Sequence, residues 1–142
     1  MELQSGRPVV RASDVVLAWV LLGVFGGLAR QRRRLGRSLL LAALRRAARP
    51  DPSGVPDPVA TARGVVAAFQ RASRGHRLAR NCLPRALALH RLLLLRGLQA
   101  RVRLGLEPRQ RPRAGHAWVE CGGVPVGDDP SLVARYRACR TS

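Results

Sequence analysis

Four prolines and a glycine fall within nine residues, from Pro50 to Pro58. Proline fixes φ and lacks a backbone N–H, so this stretch cannot continue a helix or a central strand. We therefore expect a proline-rich linker at 50–58 between an amino-terminal helical region, 1–49, and a core, 59–142. Because the chain has only 142 residues, we expect both pieces to belong to one compact domain.

The region before the linker is helical in pattern. An apolar run at 15–29 follows Ser13 and Asp14, which are expected to begin the helix, and a second helix is predicted at 35–48. The apolar run is shorter than the roughly 20 residues that span a bilayer, and the stretch from Gly26 to Arg30 at its end is a poor signal-peptidase site. We expect a buried or partner-facing helix and no membrane association.

The region after the linker changes from helical to strand patterns. Asp57 and Pro58 suit the N-cap and the first position of a helix that ends near Gly75. A run that ends at Gly97 predicts the next helix.

Alternating apolar and polar residues then predict strands at 99–106 and 116–121, and a glycine pair leads to a third strand at 124–126. This order, with helices first and a small antiparallel sheet after them, predicts an α+β fold.

Cys82 stands at the predicted start of the helix that Gly97 ends. Unpaired backbone N–H groups and the helix dipole stabilise an anion there, and a thiolate is the nucleophilic form of cysteine. Helical spacing places Cys82 at the end of an apolar stripe with Ala86, Leu89 and Leu93. Taken alone, Cys82 also fits a small core side chain.

His116 and Asp128 belong to the predicted hairpin. His116 begins one strand and Asp128 ends the next, so the carboxylate is placed to hold an imidazole that takes the proton of a thiol. Asp129 competes for this role, but it precedes Pro130 and a helical pattern at 132–137, which is typical of an N-cap. Taken separately, His116 also fits a hydrogen-bonded strand histidine, and Asp128 also fits a turn aspartate. The occurrence of Cys82, His116 and Asp128 in this order along the chain favours a cysteine hydrolase.

The other two cysteines have no predicted chemical role. Cys121 shares a strand face with Ala117 and Val119 and is expected to pack, and Cys139 lies in the tail. An odd cysteine count without a CxxC pair argues against a disulfide framework or a zinc site and favours a reducing cytoplasm. Since no phosphate-cradling glycine motif occurs either, no cofactor is expected.

The charge is extreme. All 26 basic residues are arginine, against 8 acidic residues, which gives a net charge of +18. An acidic partner is expected, although GC-rich codon usage also produces arginine. Nucleic-acid binding is the rival hypothesis, but aromatic content is 4% and no nucleic-acid-binding motif occurs, so no physiological nucleic-acid ligand is expected.

The run of eight residues that begins at Cys82, together with 97–101, 116–120 and 126–128, resembles the lasso-peptide leader peptidases, which are transglutaminase-like maturation proteins. The resemblance extends over 74–136. It implies a papain- or transglutaminase-like cysteine protease core in which Cys82 is the nucleophile, His116 the base and Asp128 the orienting acid. Such bacterial enzymes remove the leader of a ribosomally made precursor before a separate cyclase closes the ring.

Many members of that family carry a leader-recognition domain ahead of the peptidase. This chain is expected to be the split form, whose partners are the lasso precursor, a separate leader-recognition protein and, as a further candidate, the cyclase. The connection at 103–113 and Cys121 depart from the family pattern.

Several points stay open at the level of sequence. The Cys82 N–H is the expected first oxyanion donor, and the second is either the Asn81 amide or His76. Trp118 is either a wall of the cleft or a core side chain. The same three catalytic residues also serve transglutaminases and arylamine acetyltransferases, so acyl transfer is the alternative activity, and an inactive scaffold is a third.

Overall fold

The computed structural model describes residues 7–31, 34–47, 55, 57–106 and 115–138. The elements in these residues are, in chain order, α1 (Ala12–Arg30), α2 (Arg34–Ala47), α3 (Pro58–Arg74), a 3-10 turn (Arg77–Arg80), α4 (Cys82–Leu95), β1 (Arg101–Leu106), β2 (Gly115–Cys121), β3 (Val124–Val126), α5 (Pro130–Ala134) and β4 (Arg137–Ala138). Most of the predicted linker, the greater part of the 103–113 connection and Cys139 lie outside the described residues.

The strands form one antiparallel sheet in the order β3-β2-β1-β4. Strand β2 lies between β1 and β3, with Val119 opposite Val126 in the β2–β3 pair. Gly122 and Gly123 connect these two strands with φ values of 58° and 81°. A type I′ two-residue hairpin turn requires positive φ at both central residues, which glycine adopts without strain. The hairpin predicted from the sequence is confirmed.

Helix α4 lies at the centre of the molecule. Eight of its 14 residues are buried, because α1 and α3 pack against it on one side and β2 and β1 on another. A helix that is apolar around most of its circumference is expected in such a position. The largest fully buried side chains are Leu22, Phe69, Leu87, Leu92, Leu93 and Val119. Helices and a small sheet thus share one core, and the predicted α+β fold is confirmed.

The start of α1 differs from the prediction. The helix begins at Ala12, with Arg11 at the N-cap, rather than at Ser13 or Asp14. Asp14 lies buried in the first turn and pairs with Arg96, whose Nε donates to Oδ1 at 2.6 Å. Since a buried carboxylate is costly unless it is paired, this contact explains why Asp14 faces inward, and it ties α1 to the end of α4.

Helix α1 has one buried and one exposed apolar face. Ala18 and Leu22 are fully buried, whereas Trp19, Val20 and Val24 are at least half exposed. By length and composition α1 is able to cross a membrane, with a mean hydropathy of 1.9. The absence of membrane association therefore stays a prediction.

The predicted ends of α3 are confirmed, and the prediction for α5 is wrong at its end. Asp57 accepts from the Ala60 N–H at 3.1 Å as the N-cap of α3, and Gly75 follows its last turn. Helix α5 stops at Ala134 instead of continuing to 137, and β4 pairs with β1. Without β4, strand β1 would have an unpaired edge. Residues 137 and 138 pair with that edge as a strand, which they could not do as part of a helix.

Candidate active site

Cys82 is the first residue of α4. The Arg85 N–H donates to the carbonyl of Asn81 at 3.2 Å, which closes the first helical turn. Pro84 has no N–H, and the Asn81 side chain does not cap the helix, so the N–H groups of Cys82 and Leu83 are the first-turn donors left outside the helical ladder. These donors and the helix dipole stabilise negative charge beside the Cys82 sulfur.

His116 and Asp128 form a hydrogen-bonded pair. Nε2 of His116 lies 3.3 Å from Oδ2 of Asp128, and both side chains are only 15% exposed. An ionised carboxylate accepts hydrogen bonds and cannot donate them, so Nε2 carries the proton and Nδ1 keeps its lone pair. The pair thus leaves Nδ1 as the nitrogen that can accept a proton from a thiol.

Gly127 sets the position of Asp128. Its φ of +77° lies in the left-handed region, where the chain turns out of β3. A Cβ at this position would lie 2.7 Å from Cδ2 of Leu89, so the backbone after β3 packs directly on α4. Sequence reasoning did not single out Gly127; the signal was a glycine at the end of a strand, immediately before the aspartate.

Arg85 contacts Oδ1 of Asp128, the carboxylate oxygen that does not face His116. Nη1 of Arg85 lies 3.5 Å from Oδ1 of Asp128, and Nη2 donates to the Gly127 carbonyl at 3.3 Å. The guanidinium also lies 5.9 Å from the centroid of the Phe69 ring. Arg85 lies in the run of eight residues that carries the resemblance, but the sequence assigned it no separate role. Its spacing of three residues from Cys82, which puts both on one side of the helix, was the available signal.

Asp129 caps α5, as predicted. Oδ1 accepts from the Ser131 hydroxyl at 2.8 Å and from the Ser131 N–H at 2.9 Å. These two hydrogen bonds, the hydroxyl first, hold the pKa of Asp129 below its ordinary value. The two neighbouring aspartates therefore have separate surroundings, and it is Asp128 that contacts His116.

Two aromatic rings contact the His116 imidazole. Trp118 lies nearly parallel to it with centroids 6.1 Å apart, and Tyr136 is tilted at 5.0 Å. Trp118 is buried and its Nε1 donates to Glu120 at 3.1 Å, so it is at once a core side chain and a wall of the site. Tyr136 was not predicted, because its approach depends on how the chain folds back after α5.

Cys82, His116 and Asp128 line the same cavity, which lies between α4 and the hairpin. Its volume is about 20 Å³, which is roughly the room needed by one water molecule. The fold thus brings together the three residues that the sequence singled out, one each from α4, β2 and the turn after β3.

The two candidates for a second oxyanion donor have different surroundings: Asn81 is the N-cap residue next to Cys82, whereas His76 lies near α1. His76 packs on Trp19 of α1, with ring centroids 4.7 Å apart, and neither His76 nor Asn81 lines the cavity. The backbone N–H of Leu83, next to Cys82 at the helix start, is a donor that the sequence analysis did not consider.

Cys121 is half-buried at the end of β2 and packs against the core, as predicted. Burial raises the pKa of the Cys121 thiol. Within the described residues, no group of three or more His, Cys, Asp or Glu side chains is arranged to hold a metal ion.

Residues 22–141 match the sequence profile of the transglutaminase-like superfamily. The matched stretch contains all three cavity-lining residues described above. No curated protein and no solved structure gives a significant match to the chain.

Proposed function

Because the chain belongs to the transglutaminase-like superfamily, we propose that it is a cysteine peptidase that uses Cys82, His116 and Asp128. One observation carries this proposal: a cysteine at a helix start lines the same cavity as a hydrogen-bonded histidine–aspartate pair. The superfamily covers cysteine peptidases and acyltransferases, and both pass through a thioester.

In the proposed mechanism, His116 Nδ1 takes the proton of Cys82 and the sulfur attacks the carbonyl of the scissile amide. The N–H groups of Cys82 and Leu83 stabilise the oxyanion. His116 then gives its proton to the leaving amine, which departs and leaves the thioester. Water, deprotonated by His116, attacks the thioester and releases the carboxylic acid and the thiol. Asp128 orients the imidazole and stabilises it while it carries the second proton.

Hydrolysis and acyl transfer differ only in the acceptor that attacks the thioester, which is water in the first and an amine in the second. Transfer is the alternative, and it predicts an amide product when a primary amine is added to the reaction.

The proposed substrate is the precursor of a lasso peptide, from which the enzyme removes the leader. The support is the resemblance over 74–136, which includes the sequence around Cys82 and the strand that begins at His116. We propose further that a separate leader-recognition protein delivers the precursor, that the cyclase is a candidate third component, and that the reaction takes place in the bacterial cytoplasm without a nucleic-acid ligand.

The test is cleavage of a cognate lasso precursor, with the recognition protein present and the products identified by mass spectrometry. We expect Cys82→Ala to abolish leader removal and Cys121→Ala, a matched change in a packing cysteine, to retain it. Omitting the recognition protein should slow cleavage strongly, because tethering raises the effective concentration of the scissile bond. Full cleavage by folded Cys82→Ala protein would rule out the proposed nucleophile.

A further inference from the structure

A groove of about 580 Å³ lies beside the catalytic cavity. The last turn of α3, Gly75, the 3-10 turn and Arg85 of α4 form its walls. Its volume is within the range of about 300–1,000 Å³ that is typical of ligand pockets, whereas the catalytic cavity has room for little more than water. Any contacts with a peptide beyond the scissile bond must therefore be made outside that cavity.

The groove is strongly basic. Among the described residues, Arg74, Arg77, Arg80 and Arg85 line the groove, and no acidic residue does. The first three are exposed, and none of them takes part in the ion pairs found within the described part of the chain. Their guanidinium groups thus form a concentration of positive charge that the described residues of the protein do not neutralise.

Arg85 joins this groove to the catalytic cavity, since it lines both. It contacts Asp128 of the catalytic cavity and follows Cys82 by about one helical turn, a rise of about 5 Å. An extended peptide advances about 3.3 Å per residue. A substrate with its scissile carbonyl at Cys82 would therefore reach the groove within about two residues.

We propose that this arginine groove binds an acidic segment of the peptide that Cys82 cleaves; the inference rests on the proposed peptidase function and specifies its substrate. Guanidinium groups bind carboxylates with paired, charge-assisted hydrogen bonds. No Phe, Tyr or Trp on which a nucleotide base could stack is found among the described residues that line the groove, so the observations favour a peptide over a single-stranded nucleic acid.

The test measures binding of fluorescein-labelled hexaglutamate to the full chain carrying Cys82→Ala, by fluorescence polarisation. Gln70 lines the groove and Gln99 lies exposed ahead of β1. Gln70→Glu and Gln99→Glu are isosteric changes that lower the net charge equally. We expect Gln70→Glu to weaken binding by about two- to five-fold and Gln99→Glu to change it much less, since one exposed ion pair is worth about that factor.

A stronger perturbation removes two charges from the groove. Arg77→Gln combined with Arg80→Gln should weaken hexaglutamate binding by about ten-fold. Arg45→Gln combined with Arg46→Gln, which changes two exposed arginines of α2, serves as the matched control. Circular dichroism checks that each variant is folded. If the double variant is not folded, the comparison of Gln70→Glu with Gln99→Glu tests the inference.

Equal losses in groove and control variants would overturn the inference, because net charge alone would then explain binding. Groove-specific loss seen with labelled hexathymidylate but not with hexaglutamate would also overturn it, in favour of a nucleic-acid site. Failure of the peptidase proposal is distinguishable: no Cys82-dependent cleavage would be found, while groove-specific binding of hexaglutamate would persist.

Discussion

Replacing Gly127 by alanine should destabilise the protein more than any other glycine-to-alanine change in the hairpin. The φ of +77° costs an alanine about 1–2 kcal/mol. The added Cβ would lie 2.7 Å from Cδ2 of Leu89, which is buried and cannot swing into solvent. Crowding of this kind in a packed core costs about 1–3 kcal/mol. The expected total is about 2–5 kcal/mol.

Gly123→Ala is the matched control that separates the two costs. Gly123 has a similar φ of +81°, but a Cβ there would meet nothing within 4 Å. The free energy of unfolding of this variant should fall only by the backbone cost of about 1–2 kcal/mol.

Urea unfolding, followed by circular dichroism, measures the difference. With a denaturant slope of about 2 kcal/mol per M, the midpoint of Gly127→Ala should lie about 0.5–1.5 M below that of Gly123→Ala. Equal midpoints would refute the close approach of the Gly127 backbone to α4, and with it the account of how Asp128 is positioned.

Two further predictions concern the site itself. Asp128→Asn should lower the rate of leader removal by orders of magnitude, because the amide no longer fixes the His116 tautomer. Asp129→Asn should keep the rate of the unaltered protein, since asparagine caps a helix almost as well as aspartate. A greater rate loss in the Asp129 variant, at matched stability, would reassign the orienting acid. Iodoacetamide at pH 7 should alkylate Cys82 faster than Cys121, because burial raises the pKa of the Cys121 thiol and lowers its thiolate fraction. Peptide mapping by mass spectrometry reads out both sites, and preferential labelling of Cys121 would contradict the proposed activation of Cys82.

Short-range features of this protein were predictable from the sequence. Asp57 caps α3, the glycine pair turns the hairpin, and Cys82 begins α4. Each outcome depends on the backbone preferences of a few adjacent residues, so the local pattern contains the information that determines it. The proximity of His116 and Asp128 belongs here as well, because one hairpin links them.

The tertiary structure decided which distant side chains meet. Arg85 contacts Asp128 and donates to the carbonyl of Gly127, which lies 42 positions away in the sequence. Asp14 pairs with Arg96, which lies 82 positions away. Tyr136 reaches His116 from the segment that follows α5. Such contacts depend on how whole elements pack, and no local preference specifies that packing. The sequence by itself therefore determined which residues could do the chemistry, whereas the packing of α4 against the hairpin determined what surrounds them.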